Sequence, residues 1–311
     1  MPSAAPKHRI GWPYIKCLGC RTLVTVEPPI LRVYFEGILG NCRSCGTPLD
    51  LFQMAVARLS ESNALFQHSA GSLLGGRELI AKFSIDLNAR VPVDLESLGL
   101  PATAKILYLN FTPEVGDCFP LFIAPGNEPF ALGATIPHKF MIYGAQPPST
   151  AQAAPSFGQV YAYFVDAVTN DHSLNNLLLA LRSFLVGDLE GSVLPSAVAV
   201  EYSISIVAAT LLESAGLKSN KTRFYDLLRV VLPLICDRID APRIETSLID
   251  SLIECRKLRN EIAHHGHLSQ TLTRASAARW LCASMLVFRY LSLLSTGQLR
   301  KRRVDHPKLD F

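Results

Sequence analysis

The stretch PRIETSLIDSLIECRKLRNEIAHHGH, residues 242–267, decides the character of the C-terminal half of the chain. Its apolar residues recur at steps of three or four, which places them on one face of an α-helix. That face consists of Ile244, Leu248, Leu252, Cys255, Leu258 and Ile262. An early proline suits a helix start, and Gly266 stands where a glycine often follows a helix end. The pattern predicts a helix over residues 242–264.

Apolar segments of helical character continue on both sides of this stretch. They predict further helices over residues 171–186, 194–215, 222–237 and 272–295. We expect Pro195 to lie at a helix start and Pro233 to break or kink its helix, since proline lacks the N–H that an interior position uses. Together these helices predict an all-α bundle over residues 157–296.

The segment before the bundle has a different pattern. Residues 50–145 hold short alternating apolar runs separated by glycine and proline, which indicates a mostly-β domain, of unknown role, with one helix near residues 51–59. In KILYLNF (residues 105–111), alternation places Leu107, Leu109 and Phe111 on one face. QPPSTAQAAPS (residues 146–156) is typical of a linker. The predicted fold class is therefore multidomain α+β.

The composition favours a folded protein, and the cysteine usage favours a reducing compartment. At roughly 100–200 residues per domain, 311 residues predict two or three domains. The chain is 49% hydrophobic and 18% charged, with a net charge of +4 that says little about partners. No apolar leader is visible at the start, and the most apolar stretch, residues 193–212, contains Glu201 and Pro195, which favours a buried helix over a membrane span. We expect a cytoplasmic protein without a membrane partner.

Four of the eight cysteines form two C-x-x-C pairs, and these predict a metal site. The pairs are Cys17 with Cys20 and Cys42 with Cys45. Two such pairs joined by a hairpin bring four sulfurs into the tetrahedron that zinc accepts, with TLVTV and LRVYF as the expected strands. The pattern resembles a zinc ribbon over residues 10–48, with structural Zn²⁺; the alternative is four free or redox-active cysteines. The remaining cysteines lie singly in apolar runs typical of small core residues: Cys118, Cys236, Cys255 and Cys282.

Ionisable side chains crowd the end of the 242–264 helix. Cations at a helix C-terminus are stabilised by the helix dipole, which by itself is a sufficient reason for Arg259, His264 and His265. Arg259 and His264 are five residues apart and diverge by about 140° on an α-helix. For both to reach one atom, the helix must unwind near residues 263–266, Arg259 must wrap around it, or two copies of the chain must face each other.

RNEIAH (residues 259–264) resembles the R-N-x-x-x-H signature of the HEPN superfamily, and LRNEIAHHG is similar to its Apea-like branch. The resemblance covers about residues 157–296. It implies a metal-independent endoribonuclease that acts as a homodimer, often as a toxin or in anti-phage defence under an unknown trigger or regulatory partner. Arg259, Asn260 and His264 would form the catalytic set. The family also contains inactive RNA-binding or scaffold proteins, which is the alternative function.

The residue chemistry suits RNA cleavage. The 2′-hydroxyl of RNA can attack the adjacent phosphate without a metal, leaving a 2′,3′-cyclic phosphate, and a histidine near its ordinary pKa can move the protons. We assign that role to His264 and phosphate binding to Arg259.

Three further features of the sequence allow more than one interpretation. Glu201, in an apolar stretch, either faces solvent or pairs with Arg259 or a histidine of the motif. His265 and His267 are either solvated helix-end residues or auxiliary phosphate contacts; an HHxH metal site is the least favoured interpretation, because no fourth ligand stands at helical spacing. Residues 297–311 form a basic tail. Its RKRR run (residues 300–303) is either a solvated segment or an RNA contact.

Overall fold

The computed structural model describes residues 8–61, 71–127, 136–147, 154–166, 172–214, 223–269 and 271–299. It divides the chain into two compact units. The first, the β unit, comprises Met1–Pro13 and Gly76–Thr169; the second, the helical unit, comprises Tyr14–Gly75 and Asn170–Phe311. The cysteine pairs therefore belong to the same unit as the C-terminal helices, whereas the sequence suggested a separate N-terminal domain. The RKRR run lies outside the described residues.

The described strands and helices alternate between the two units. The strands are β1 (His8–Gly11), β2 (Tyr14–Lys16), β3 (Leu23–Thr25), β4 (Arg77–Ile85), β5 (Arg90–Asp94), β6 (Lys105–Val115), β7 (Phe119–Ile123), β8 (Lys139–Ala145) and β9 (Ser156–Val165). The helices are α1 (Pro28–Phe35), α2 (Leu51–Glu61), α3 (His172–Leu185), α4 (Leu189–Ser214), α5 (Phe224–Asp226), α6 (Leu232–Arg238), α7 (Thr246–His265) and α8 (Arg274–Ser295). The prediction of a mixed α and β protein with a C-terminal helical region is confirmed.

The β unit consists of two antiparallel sheets that share one apolar core. The four-stranded sheet has the order β1-β4-β9-β6, and the three-stranded sheet has the order β5-β8-β7. Alternate residues of both sheets are buried together, among them Leu79, Phe140, Ile142, Val160 and Phe164. Gly158 permits the close approach of β9 to β6, because a Cβ there would lie 2.4 Å from the Thr112 carbonyl oxygen.

Two boundaries in this unit differ from the sequence prediction. Residues 157–165 were expected to open the helical bundle, but β9 pairs along its length with β4 and β6. Buried residues alternate with less buried ones from Ser156 to Ala162, and the strand then ends on the buried residues Tyr163, Phe164 and Val165, whose aromatic and β-branched side chains suit a central strand. In β6, a register shift between Ile106 and Tyr108 displaces Leu107 from the face of Leu109 and Phe111, so Ile106 is the buried residue instead. Of the predicted linker, residues 148–153 lie outside the described residues.

A buried carboxyl makes the stability of the β unit depend on pH. Glu78 lies inside β4, where burial raises the pKa of its carboxyl above the ordinary value of 4.5, although Tyr163 donates a hydrogen bond of 3.2 Å to it. The folded carboxyl therefore holds its proton to a higher pH than the unfolded one, and stability is lost as pH rises through the folded pKa.

Glu78→Gln is accordingly expected to stabilise the β unit at pH 7, with the gain vanishing at low pH where the wild-type carboxyl is also neutral. Urea unfolding followed by hydrogen exchange of β4 at pH 4 and pH 7 measures this. Glu114→Gln, at an exposed position of β6, is the matched control. A destabilised Glu78→Gln variant at pH 7 would contradict the expectation.

The helical unit contains the predicted helices with shifted ends. α4 begins at Leu189, not near residue 194, because the Asp188 carboxylate accepts a hydrogen bond of 2.8 Å from the Gly191 N–H and caps the first turn. Pro195 therefore lies inside α4. A π-helical turn over Leu227–Val231 lies just ahead of Pro233 and is the expected irregularity, because proline cannot donate the backbone hydrogen bond of a regular α-helix.

The cysteine-bearing segment packs directly on the C-terminal helix. The rings of Phe35 in α1 and Tyr290 in α8 meet edge to face at 5.4 Å. The Arg274 Nε atom donates to the Leu59 carbonyl oxygen at 3.1 Å, at the end of α2. The predicted helix near residues 51–59 is thus confirmed as α2, but it belongs to the helical unit.

Two described segments are long and apolar enough to cross a membrane by length and composition, Leu189–Glu213 and Arg274–Ser295. In the second, 78% of the apolar window is buried inside the fold. Core helices of soluble proteins have this character, and the structure is compatible with a soluble protein.

Candidate functional site

The two C-x-x-C pairs form a four-cysteine cluster of Cys17, Cys20, Cys42 and Cys45. Their sulfur atoms all lie within 4.8 Å of one another. The Sγ atoms of Cys17 and Cys45 are 3.7 Å apart, and those of Cys20 and Cys42 are 3.6 Å apart. A tetrahedron of sulfurs at the usual Zn–S distance of about 2.3 Å has edges of about 3.8 Å. The cluster can therefore hold a metal ion of that size and geometry.

Threonine hydroxyls support the exposed cysteine of each pair. The Thr22 hydroxyl oxygen lies 3.2 Å from Cys20 Sγ, and that of Thr47 lies 3.2 Å from Cys45 Sγ. Hydrogen bonds from Thr47 lower the pKa of the Cys45 thiol to about 6, and those from Thr22 lower the pKa of Cys20. Because the thiolate is the form that binds metals, these threonines favour a loaded cluster.

The backbone around the cluster differs from the predicted hairpin. The expected strand TLVTV forms β3, but it pairs with β2 across the first cysteine pair. LRVYF forms most of α1, not a strand, because Pro28 and Pro29 start a helix whose residues Leu31, Tyr34 and Phe35 are buried on one side. In each knuckle the residue after the second cysteine has a left-handed backbone, Arg21 with φ 61° and Gly46 with φ 74°.

Arg259 is held on the surface of α7 by neighbouring polar groups. Its Nη1 atom donates to the Asn260 Oδ1 atom at 3.0 Å, and its Nη2 atom lies 3.7 Å from the Glu201 carboxylate. The Nε atom is buried and has no hydrogen-bond partner among the described residues. Glu201 is thus a partner of Arg259, which was one of the two readings open from the sequence.

A second arginine, which sequence reasoning missed, shares the same carboxylate. The Arg256 Nε atom donates to the Glu201 Oε1 atom at 2.8 Å, and its guanidinium lies 4.9 Å from the ring centroid of Phe224. Glu201 therefore joins α4 to two arginines of α7. A sequence signal for Arg256 existed, since it precedes Asn260 by four residues and so shares its helix face.

His264 and His265 lie at the exposed end of α7, their rings 6.5 Å apart. The helix continues to His265 and ends at Gly266, whose φ of 78° is left-handed as predicted. The helix therefore does not unwind near residues 263–266, and Arg259 is engaged with Asn260 and Glu201. A single chain does not bring Arg259 and His264 into contact in the part that is described.

The turn after the histidines is fixed by two carboxylates. The Glu261 Oε1 atom accepts a hydrogen bond of 2.6 Å from the Ser269 N–H, and Glu190 accepts one of 3.1 Å from the Leu268 N–H. Leu268 is buried against Trp280 and Val193. The bonds to Ser269 lower the pKa of Glu261, with the nearby His265 and His267 contributing. The histidine-bearing end of α7 is therefore a defined surface.

The other cysteines are buried, as predicted. Burial raises the pKa of Cys255 to about 12 and also raises those of Cys118, Cys236 and Cys282, which makes all four poor nucleophiles.

No family model, curated protein or solved structure matches this chain.

Proposed function

We propose that this protein is a metal-independent endoribonuclease of the HEPN type. The observation that carries the proposal is the arrangement of Arg259, Asn260 and His264 at the exposed end of α7, late in a helical region. Arg259 is oriented there by Glu201 and Asn260, while His264 projects from a helix end whose following turn is anchored. An exposed imidazole and an oriented arginine on the same helix, brought together by a second copy of the chain, would suit chemistry on a phosphodiester.

In the proposed reaction, the imidazole of one His264 takes the proton of the RNA 2′-hydroxyl as the hydroxyl oxygen attacks the adjacent phosphorus. The bond from phosphorus to the 5′-oxygen breaks, and a protonated imidazole gives that oxygen its proton. The guanidinium of Arg259 donates hydrogen bonds to the phosphate oxygens as negative charge accumulates on them. The products are a 2′,3′-cyclic phosphate and a free 5′-hydroxyl.

The proposed active form is a homodimer. Since α7 is unbroken and Arg259 diverges from His264 by about 140°, a second copy of the helix supplies the missing group most simply. Two His264 residues facing one phosphate would then act as base and acid.

Purified protein incubated with total RNA in magnesium-free buffer with EDTA is expected to produce fragments with 2′,3′-cyclic phosphate ends. Such ends resist enzymatic tailing until a phosphatase that opens the cyclic ester is added. Zinc retention is verified in parallel, so that lost activity is not caused by unfolding. Intact RNA, or cleavage only with added Mg²⁺, would refute a metal-independent ribonuclease.

The alternative is a HEPN module that binds RNA or protein without cleaving. The engagement of Arg259 with Asn260 and Glu201 favours it, because a guanidinium held internally has fewer donors left for a transition state. Growth arrest on overexpression, relieved by His264→Ala, supports the enzyme and a toxin or defence role. RNA binding without cleavage or arrest supports the module.

We further propose that the four-cysteine cluster holds a structural Zn²⁺. All four ligands are protein sulfurs at distances that match a tetrahedral site, so the ion keeps no open position for water or substrate. Bound zinc would stabilise the segment that supports α8 and would take no part in RNA cleavage.

A further inference from the structure

Arg256, Asn260 and His264 form a row along one face of α7. They are spaced by four residues each, so successive side chains are offset by only about 40° and the whole row spans about 80°. Arg259 lies outside this row and diverges more from His264. The arginine that shares a helix face with His264 is therefore Arg256, which lies outside the R-N-x-x-x-H motif.

The guanidinium of Arg256 is held in position, but only some of its hydrogen-bond donors are used. Its Nε atom is bonded to Glu201 and its guanidinium stacks near Phe224, yet 34% of the side chain is exposed. No hydrogen bond joins its two Nη groups to the residues that the structure describes. A guanidinium that is held at its Nε atom and against an aromatic ring, with both Nη groups unbonded to described residues, is preorganised for a phosphate.

The cluster of Glu201, Arg256 and Arg259 carries a net positive charge. Glu201 supplies one negative charge to the two arginines, Arg256 and Arg259. The carboxylate allows two like charges to lie close together, and one unit of positive charge remains for an anion.

We propose that Arg256 binds a phosphate of single-stranded RNA that flanks the scissile one. Eight residues of helix separate the Cα atoms of Arg256 and His264 by about 12 Å, too far for both groups to serve one phosphate. The Arg256 subsite sets the register of the strand, so that the scissile phosphate lies at the end of α7. This inference deepens the proposed function and rests on it.

The test measures RNA binding without cleavage. In a His264→Ala background, a fluorescein-labelled single-stranded RNA is titrated at several NaCl concentrations. Adding Arg256→Gln is expected to weaken binding about tenfold at low salt, as loss of a charged hydrogen bond does. The slope of log affinity against log salt should fall by about 0.7, the value for one phosphate on a single strand.

The matched control is Arg243→Gln, which removes an exposed arginine that Asp237 already pairs. It should leave the slope unchanged. An unchanged slope in the Arg256 variant, or an equal fall in both variants, overturns the proposal.

A purely structural role of Arg256 is distinguished by thermal melting and by Arg256→Lys. Unchanged salt slopes together with a lowered melting temperature in Arg256→Gln would show that the residue only joins α7 to α4, and the proposal would be wrong. We expect Arg256→Lys to restore most of the slope but not the full affinity, since lysine keeps the charge without the fork. If wild-type protein binds RNA without cutting it and the Arg256 effect persists, the subsite stands and the ribonuclease does not.

Discussion

Replacing His264 with alanine is expected to lower the rate of RNA cleavage by about 10³-fold, while the melting temperature stays almost unchanged. A positioned general acid or base contributes about 10² to 10⁴ in rate. His264 is exposed and follows the buried stripe of α7, so its side chain contributes little to packing. Single-turnover cleavage of a labelled RNA, with excess enzyme, measures the chemical step directly.

His265→Ala is the matched control for this prediction. It removes the neighbouring exposed imidazole, which lies outside the row of Arg256, Asn260 and His264, and we expect a loss of less than about tenfold. Arg259→Ala should lower the rate by about 10² to 10³, the effect of losing one donor to a charged transition state. Undiminished cleavage in both His264→Ala and Arg259→Ala would show that other residues do the chemistry.

Loss of the proposed zinc ion is expected to unfold the four-cysteine cluster and to destabilise the whole helical unit. The two cysteine pairs lie 21 residues apart in the chain and a shared metal would tie them together; in zinc-finger peptides such a metal supplies about 10–16 kcal/mol of folding free energy. Through Phe35, Arg274 and α2 the cysteine-bearing segment supports α8, so the loss should spread to the C-terminal helices. We expect Cys42→Ala to abolish zinc binding and to lower the melting temperature sharply.

Metal content by mass spectrometry and circular dichroism melting test this prediction together. Cys118→Ala is the control, because Cys118 is also buried but lies in the β unit outside the cluster. It should retain one zinc per chain. Full zinc content in Cys42→Ala, or a zinc-free wild-type protein with an unchanged melting curve, would contradict a structural metal.

Local patterns were reliable wherever one helix or strand carried the information. The Gly266 stop, the burial of the lone cysteines and the buried face from Leu248 to Leu258 are observed, but α7 begins at Thr246 and leaves Pro242 and Ile244 ahead of the helix. The failures occurred where short segments fit two structures. LRVYF has the composition of a strand, but it follows two prolines that start a helix. Residues 157–165 belong to the β unit because they pair with β4 on one side and β6 on the other.

By itself the sequence determined which residues could meet a metal and which helix face is buried, because spacing along one chain fixes both. Only the tertiary structure decided that the cysteine segment packs on α8, and that Glu201 of α4 holds Arg256 as well as Arg259. These contacts join residues far apart in the chain, so no local period records them. The structure also showed that α7 stays helical through His265, so one copy of this helix does not bring Arg259 and His264 together.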